Sequence, residues 1–213
     1  MAVPTFYIGN KNYSSWSLRP WLVLRKAQLP FEETLIPLYQ DGTKAKLLAL
    51  SSAGTVPVLQ VEGEMIPDSL AISEWAARCV PNLWPKDPGD KERAQALCKQ
   101  MQDDFGVFRG TAHMNLRRRT DTAMPKDCLD DAARLTAIFE DLLSVHDGPF
   151  LFDDWSIADA FATPFATRFN TYGLQSSLKV DTYFSELLAD EDYLEWEMDA
   201  LAEGWTIAAV DAV

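Results

Sequence analysis

The sequence predicts a small α/β domain of about 80 residues followed by an all-helical domain of about 120. Three observations carry this. Short β-branched and aromatic runs alternate with helix-periodic stretches in the first part of the chain. The segment "PNLWPKDPG" (81–89) holds three prolines in nine residues and reads as a linker. Beyond it the strand signals fade and apolar residues recur only at helical spacing.

Taken in order, "VPTFYIG" (3–9) is short, β-branched and aromatic and ends in glycine, which predicts a strand. Leu18, Trp21, Leu22 and Arg25 then follow helical spacing, with Ser17 as the expected cap and Pro20 expected in the first turn, where a missing N–H is tolerated. "FEETLIP" (31–37) predicts a second strand and "TKAKLLALS" (43–51) a short helix. "VPVLQVEGEMIPD" (56–68) predicts a hairpin turning at Glu62-Gly63. "SLAISEWAARCV" (69–80) predicts a helix, giving the order β-α-β-α-β-β-α. After the linker, Ala94, Leu97, Cys98, Met101, Phe105 and Phe108 share one helical face, and Ala132, Leu135, Phe139 and Leu142 share another. Further helices are expected at about 156–171, 180–190 and 192–203. The division is therefore 1–80, a linker over 81–89, and 90–213.

Composition narrows the function. The chain has 213 residues, 47% hydrophobic and 24% charged, the balance of an ordinary soluble protein with a substantial core. Its net charge of -13 repels phosphate backbones and anionic membranes, so neither a nucleic acid nor a membrane is an expected partner. The one basic run, Arg117-Arg118-Arg119 with Arg109 and Lys126 nearby, reads as a solvated helix end. Three widely spaced cysteines (Cys79, Cys98, Cys128) suggest no disulfide framework, and with only His113 and His146 besides, no zinc set is expected. The N-terminal stretch lacks the apolar core of a signal peptide, and no run nears the roughly 20 apolar residues of a membrane helix. A reducing cytoplasm is the expected location.

Three short stretches could carry chemistry. In "GTVPVL" (54–59) a proline opens a strand that should pair on both sides, although it donates no ladder hydrogen bond. A cis Val56–Pro57 bond would leave the Val56 N–H and C=O for a ligand; a trans proline opening an edge strand is the alternative. In "PDSLAI" (67–72) Asp68 and Ser69 stand where a strand gives way to a helix. Ser69 can cap that helix, the first N–H groups point at incoming anions, and Asp68 suits an ammonium, the two charges of an α-amino-acid head group. In "NYSSWSLRP" (12–20) Ser14 and Ser15 lie just ahead of the expected cap, at the positive end of a helix.

Together these stretches resemble the cytosolic glutathione transferases, and the resemblance spans essentially the whole chain. "YSSWSLRPWLVLRKAQLPFEE" is similar to the N-terminal signature of the serine-type members, especially the zeta class with its Ser-Ser-Cys-Ser pattern. "GTVPVL…DSLAISEW" is similar to the superfamily's Val-Pro and acidic-Ser segments. "FLFDDWSIADAFATP" is similar to its helix-capping segment, with Ser156 and Asp159 as an S-x-x-D capping box. The resemblance implies a thioredoxin-like first domain, a helical acceptor-binding second domain, a homodimer, glutathione as co-substrate, no metal, and the conjugation chemistry of detoxification. It implies that Val56–Pro57 is cis, that the Val56 backbone pairs with the cysteinyl part of glutathione, with Thr55 and Pro57 also glutathione-binding, that Asp68 and Ser69 hold the γ-glutamyl end, and that Gln40 and Lys44 are candidates for the glycyl end. Trp16, Phe108, Met114 and Phe165 are candidates for the acceptor pocket, with core packing the alternative and, for Phe108 and Phe165, the favoured one.

The implied role of serine is physical. A thiol of pKa about 8.5 is only a few per cent thiolate near neutrality, and the thiolate is the nucleophile. A hydroxyl donating to the sulfur at a helix N-terminus favours that form. The zeta pattern puts the catalytic hydroxyl at Ser14, and other serine-type patterns favour Ser15. Tyr7 is a rival because tyrosine-type members carry a phenol at the end of the first strand; Tyr13 is another. Arg19 either orients the site or is a surface charge. Trp16 replaces the cysteine of the zeta pattern, so thiol-exchange activities are not expected. The zeta class also uses an arginine in the helix after S-x-x-D; Asn170 aligns with it and Arg168 is the nearest arginine, which puts maleylacetoacetate isomerisation in question. The alternatives are thus a glutathione-dependent isomerase or a non-catalytic binding module of the same fold.

Overall fold

A computed structural model describes residues 3–212. The first part runs β1 (Thr5–Ile8), α1 (Ser15–Lys26), β2 (Glu32–Leu35), α2 (Thr43–Leu50), β3 (Val58–Val61), β4 (Glu64–Ile66) and α3 (Ser69–Cys79). The sheet order is β2-β1-β3-β4, with β1 parallel to β2 and antiparallel to β3. This is the thioredoxin-like arrangement. The hairpin turns at Glu62-Gly63, both with positive φ (51° and 90°), the geometry that matches a two-residue turn to strand twist. Phe6 and Ile8 of β1 and Val58 and Leu59 of β3 are sealed. β2 is an edge strand of sequence EETL, and its exposed Glu32 and Glu33 discourage further strand pairing.

The second part follows a 3₁₀ turn (Pro81–Leu83) and contains α4 (Pro88–Asp103), α5 (Gly106–Thr111), α6 (Lys126–Val145), α7 (Ile157–Tyr172), α8 (Leu178–Ala189), α9 (Glu191–Ala202) and α10 (Ala208–Asp211). Pro88 is the first residue of α4, where its absent N–H costs nothing, and Asp87 caps it by accepting from Asp90 N at 2.9 Å. The last two residues of the expected linker are thus helical.

The expected single face from Ala94 to Phe108 spans two helices. The chain breaks at Asp104, and Arg109 folds back to donate to the carbonyls of Met101 (2.8 Å) and Gln102 (2.6 Å) near the end of α4. Those are carbonyls that a helix end leaves without an intrahelical partner. On α6 the sealed row continues through Leu143, while Leu142 is only half-buried.

α7 is the central pillar. Of its residues only Asn170 is exposed. Phe165 meets Phe105 and Phe108, and Phe169 meets Phe108 and Phe184, at ring separations of 5.0–5.9 Å. α1 packs on α3 and against α7 and α9, joining the sheet side to the helical side. That contact sets the candidate site.

Candidate active site

The site is built at the turn from β1 into α1. Gly9 permits the turn because a Cβ there would lie 2.8 Å from Leu38 Cδ1 and 3.1 Å from Ser14 Cβ. The loop that follows is gripped from the helical side. Glu203 accepts from Lys11 N (2.6 Å) and Asn12 N (3.3 Å), Asn12 Nδ2 donates to Asn115 Oδ1 (2.9 Å), and Lys11 Nζ reaches Asp199 (2.7 Å) and Glu33 (3.0 Å).

The cap of α1 differs from the sequence expectation. Ser14, not Ser17, is the N-cap: its Oγ accepts from Ser17 N at 3.3 Å. Ser17 sits in the first turn, where its Oγ accepts from Gly9 N (3.1 Å) and lies 2.8 Å from Ser14 Oγ. The N–H of Gly9 at the strand end needs an acceptor, and Ser17 supplies it. The helix therefore starts earlier, and Pro20 falls beyond its first turn, leaving the Trp16 carbonyl without an intrahelical donor. Ser15 is the first helical residue, and its Oγ accepts from Arg168 Nη2 at 3.2 Å, a contact between residues 153 apart in the chain.

Ser14, Ser15 and Trp16 face a cavity of about 600 Å³. Gln40, Lys44, Thr55 and Val56 line its α/β side, and Arg109, His113, Met114 and Arg168 line the helical side. The Val56–Pro57 bond is cis. The β1–β3 ladder ends at Val58, so the backbone of Val56 lies outside it.

Other expected residues stand elsewhere. Asp68, not Ser69, caps α3, its Oδ1 accepting from Ala71 N at 2.8 Å. Ser69 is buried, and its Oγ accepts from Gln102 Nε2 at 3.1 Å. Neither lines the cavity, and neither does Pro57. Phe108 is sealed in the core, stacked on Phe165 at 5.9 Å, so neither ring reaches the cavity. Tyr7 donates its phenol to Gln60 Oε1 (3.2 Å) across the sheet, also away from it. Tyr13 does reach the cavity, but its phenol oxygen lies 3.0 Å from Asp211 and accepts from Arg117 Nη2 (2.9 Å) and Ile207 N (3.3 Å).

The basic run is not a solvated helix end. Arg117 donates to the carbonyls of Glu203 and Trp205, each at 2.7 Å, Arg118 donates to the Asp211 carbonyl, and Asn115 Nδ2 donates to Asp211 Oδ1 at 2.8 Å. The run clamps the C-terminal segment against the cavity, where Ile207 and Val210 form part of the wall.

Arg19, read as an orienting group or a surface charge, is completely buried. Its guanidinium lies 4.5 Å from the Trp16 ring centroid and 5.1 Å from that of Phe161, with no hydrogen-bond partner among the described residues. Arg168 is held by the carbonyls of Ala112 (2.7 Å, from Nε) and Pro164 (2.6 Å, from Nη1). Among the described residues, none of Arg19, Arg109 and Arg168 has a carboxylate within salt-bridge distance. Burial, and then repulsion from Arg109, bring Arg19 and Arg168 down to about 9, so both stay cationic at neutral pH. Burial and the Arg168 charge also lower the pKa of His113, which favours its neutral form. The wall beside Ser15 is therefore cationic in a chain of net charge -13, an arrangement that stabilises a developing anion.

Sequence spacing pointed to the serines and the Val-Pro segment. It could not mark Arg109, His113, Ile207 or Val210, which carry no local motif, and it identified Arg168 only as a neighbour of the aligned position. A second groove, of about 800 Å³ and lined by Lys11, Trp21, Arg25, Lys26 and acidic residues of α9, lies away from the serines, and its cations are paired with carboxylates. Among the described residues no group of His, Cys, Asp and Glu is placed to hold a metal ion, and no helix is long and apolar enough to cross a membrane. The three cysteines are free thiols, Cys79 exposed and Cys98 and Cys128 buried.

Comparison with known proteins agrees with this fold. Residues 13–79 match the family "Glutathione S-transferase, N-terminal domain". A probable maleylacetoacetate isomerase of Caenorhabditis elegans is 28% identical over 193 residues, covering 88% of this chain and 89% of that protein. The crystal structure of a glutathione transferase homolog from Burkholderia, with bound glutathione, superposes with a TM-score of 0.72 at 22% identity, covering 95% of this chain and 100% of that one. Poplar glutathione transferase F1 superposes with a TM-score of 0.74 at 19% identity, covering 95% of this chain and 100% of that one.

Proposed function

Because residues 13–79 match the N-terminal domain of glutathione S-transferases, we propose that this chain is a member of that superfamily, binds glutathione at the head of α1 and activates the thiol through the serine pair for attack on a small electrophilic acceptor. The observation that carries the reading is the convergence of two serine hydroxyls, a helix N-terminus and the guanidinium groups of Arg109 and the buried Arg168 on one cavity. Lowering a thiol pKa by about two units takes roughly 2.7 kcal/mol of preferential thiolate stabilisation. One charge-assisted hydrogen bond together with a helix terminus is of that size.

In this reading the Val56 backbone pairs with the cysteinyl unit, and Thr55 and Pro57 shape that strand end. Gln40 and Lys44 attract the glycyl carboxylate. The exposed Asp68 carboxylate and the first turn of α3 receive the γ-glutamyl end. Trp16 and Met114 from the two domains, with Ile207 and Val210, form the apolar wall for the acceptor. We also propose a cytoplasmic homodimer, for which light scattering should give twice the chain mass.

A second reading, a glutathione-dependent isomerase of an anionic substrate, is favoured by one feature: Arg168 is fixed on the cavity wall without a carboxylate partner. The test of the main reading is retention on immobilised glutathione and conjugation of a generic aryl halide. Failure to bind at millimolar glutathione would overturn it. Binding without conjugation, with turnover of an unsaturated dicarboxylate, would favour the isomerase.

A further inference from the structure

We infer that residues 203–212 form a strap that selects which acceptors reach the cavity, with Tyr13 as its latch. This rests on the glutathione-binding reading above. The strap follows α9 and carries Ile207 and Val210, which wall the cavity. It adds almost nothing to the core. α10 has no buried residue, and Gly204, Trp205 and Thr206 are exposed. Ile207, its sealed apolar side chain, stands apart from the main hydrophobic cluster.

What holds the strap is polar. Arg117 donates to the carbonyls of Glu203 and Trp205, and Arg118 to that of Asp211. Asn115 Nδ2 donates to Asp211 Oδ1, and the Glu203 carboxylate accepts from Lys11 N and Asn12 N. Tyr13 stands at the centre of this clasp. Its phenol has one proton and two lone pairs, and all three are used there. The O–H donates to Asp211 at 3.0 Å, and the oxygen accepts from Ile207 N (3.3 Å) and Arg117 Nη2 (2.9 Å). The opposite rim is tied to the body of the protein. The Asn115 carbonyl accepts from Thr171 Oγ1 of α7 (3.1 Å), and Asn115 Oδ1 accepts from Asn12 Nδ2 (2.9 Å). The rim is therefore the fixed side of the clasp, and the strap is the side that can lift.

The energetics favour local opening. Water competes for each of these hydrogen bonds, so each contributes only modestly, and ordering each strap residue carries an entropy cost of similar size. Without core burial to tip the balance, the segment belongs to the part of the fold that opens first. When it is closed, Ile207 and Val210 shield the acceptor side from water and limit the size of what fits. Tyr13 also directly precedes Ser14, the cap of α1, so the latch joins strap closure to the head of that helix. Tyr13 is thus a positioning residue that acts through the strap, its own proton being committed to Asp211.

The test is hydrogen–deuterium exchange of the full chain, read across residues 204–212. Tyr13→Phe keeps the ring and removes the hydroxyl. Strap amides should then exchange about tenfold faster, with those of α1 and α7 unchanged. In the wild-type protein S-hexylglutathione, whose alkyl chain reaches under Ile207 and Val210, should slow the strap about fivefold or more, and glutathione alone by less than about twofold. Tyr13→Phe should also raise KM for 1-chloro-2,4-dinitrobenzene about fivefold with kcat within about twofold, a split that a phenol acting on the thiol would reverse. Arg117→Met, which loses the donors to Glu203 and Trp205, should repeat both results and decides the matter should Tyr13→Phe fail to fold. Wild-type exchange rates in both variants, or equal slowing by the two ligands, would overturn the strap. Faster exchange with an unchanged KM would overturn its part in acceptor selection. If the wild-type protein fails to bind glutathione, that failure falls on the reading of function, and exchange in the free proteins still judges the latch.

Discussion

Three helices among the described residues begin with a serine cap, and two of them, α7 and α1, end in opposite conditions. At the start of α7, Ser156 and Asp159 close on each other. Asp159 accepts from Ser156 N (2.8 Å), Ser156 Oγ (3.0 Å), Leu151 N (3.2 Å) and the Tyr183 phenol (2.9 Å), and the carboxylate is fully buried. At the start of α1, Ser14 closes on Ser17, but Ser15 is tied to Arg168 of α7 and borders a cavity. A closed cap satisfies its groups internally and stabilises the fold. An open one presents hydroxyls and a cationic wall to a cavity. The same residue type at the same kind of helix start becomes scaffold or site according to what packs around it.

This contrast can be broken. The largest effect should come from the closed cap. Asp159→Ala strands the donors of Leu151, Ser156 and Tyr183 in the core and should cost about 3–4 kcal/mol by chemical denaturation. A change under about 1 kcal/mol would mean that the cap is not structural.

Next is its pH dependence. Burial outweighs the four donors and raises Asp159 from 3.8 to about 6. A folded pKa above the unfolded one means that the native state holds the proton more tightly. The associated stability is present below the unfolded value and is lost as pH rises through about 6. Wild type should therefore lose on the order of 3 kcal/mol relative to Asp159→Asn between about pH 4 and 6.5. Parallel stability curves for the two proteins would refute this.

At the start of α1, Ser15→Ala should reduce kcat/KM for conjugation about 100-fold while costing about 1–2 kcal/mol of stability, because Arg168 Nη2 loses its acceptor. Loss of stability in step with activity would make Ser15 another structural cap. The smallest effect on stability is expected at Ser14→Ala, about 1 kcal/mol from loss of the α1 cap, read by thermal denaturation. Unchanged stability would mean that Ser14 does not hold the start of the helix.

Much of this was legible in sequence because it is local. The alternation in "VPTFYIG", the Glu62-Gly63 turn and the S-x-x-D box are each decided within a few residues, by pleat, backbone twist and capping geometry. Where the local signal was ambiguous it misled by a few positions. Any of Ser14, Ser15 and Ser17 could cap α1, and the choice fell to Gly9, whose N–H needs an acceptor and finds Ser17. The row from Ala94 to Phe108 reads as one helix because its apolar spacing never falters. The break at Asp104 depends on Arg109 folding back onto the carbonyls at the end of α4.

The sequence by itself determined the β-α-β-α-β-β-α order of the first part, the proline-rich segment, the serines ahead of α1, the Val-Pro segment and the S-x-x-D start of α7. Each follows from neighbours along the chain. Only the tertiary structure decided which charges face that site. Arg168 lies 153 residues from Ser15, Arg117 clamps a segment some 90 residues further on, and Phe108 and Arg19 are sealed by packing that no spacing reveals. The physical reason is that burial and pairing are properties of surroundings. A guanidinium becomes a surface charge, a helix cap or part of a cationic cavity wall only once the fold has fixed what stands within a few ångströms of it.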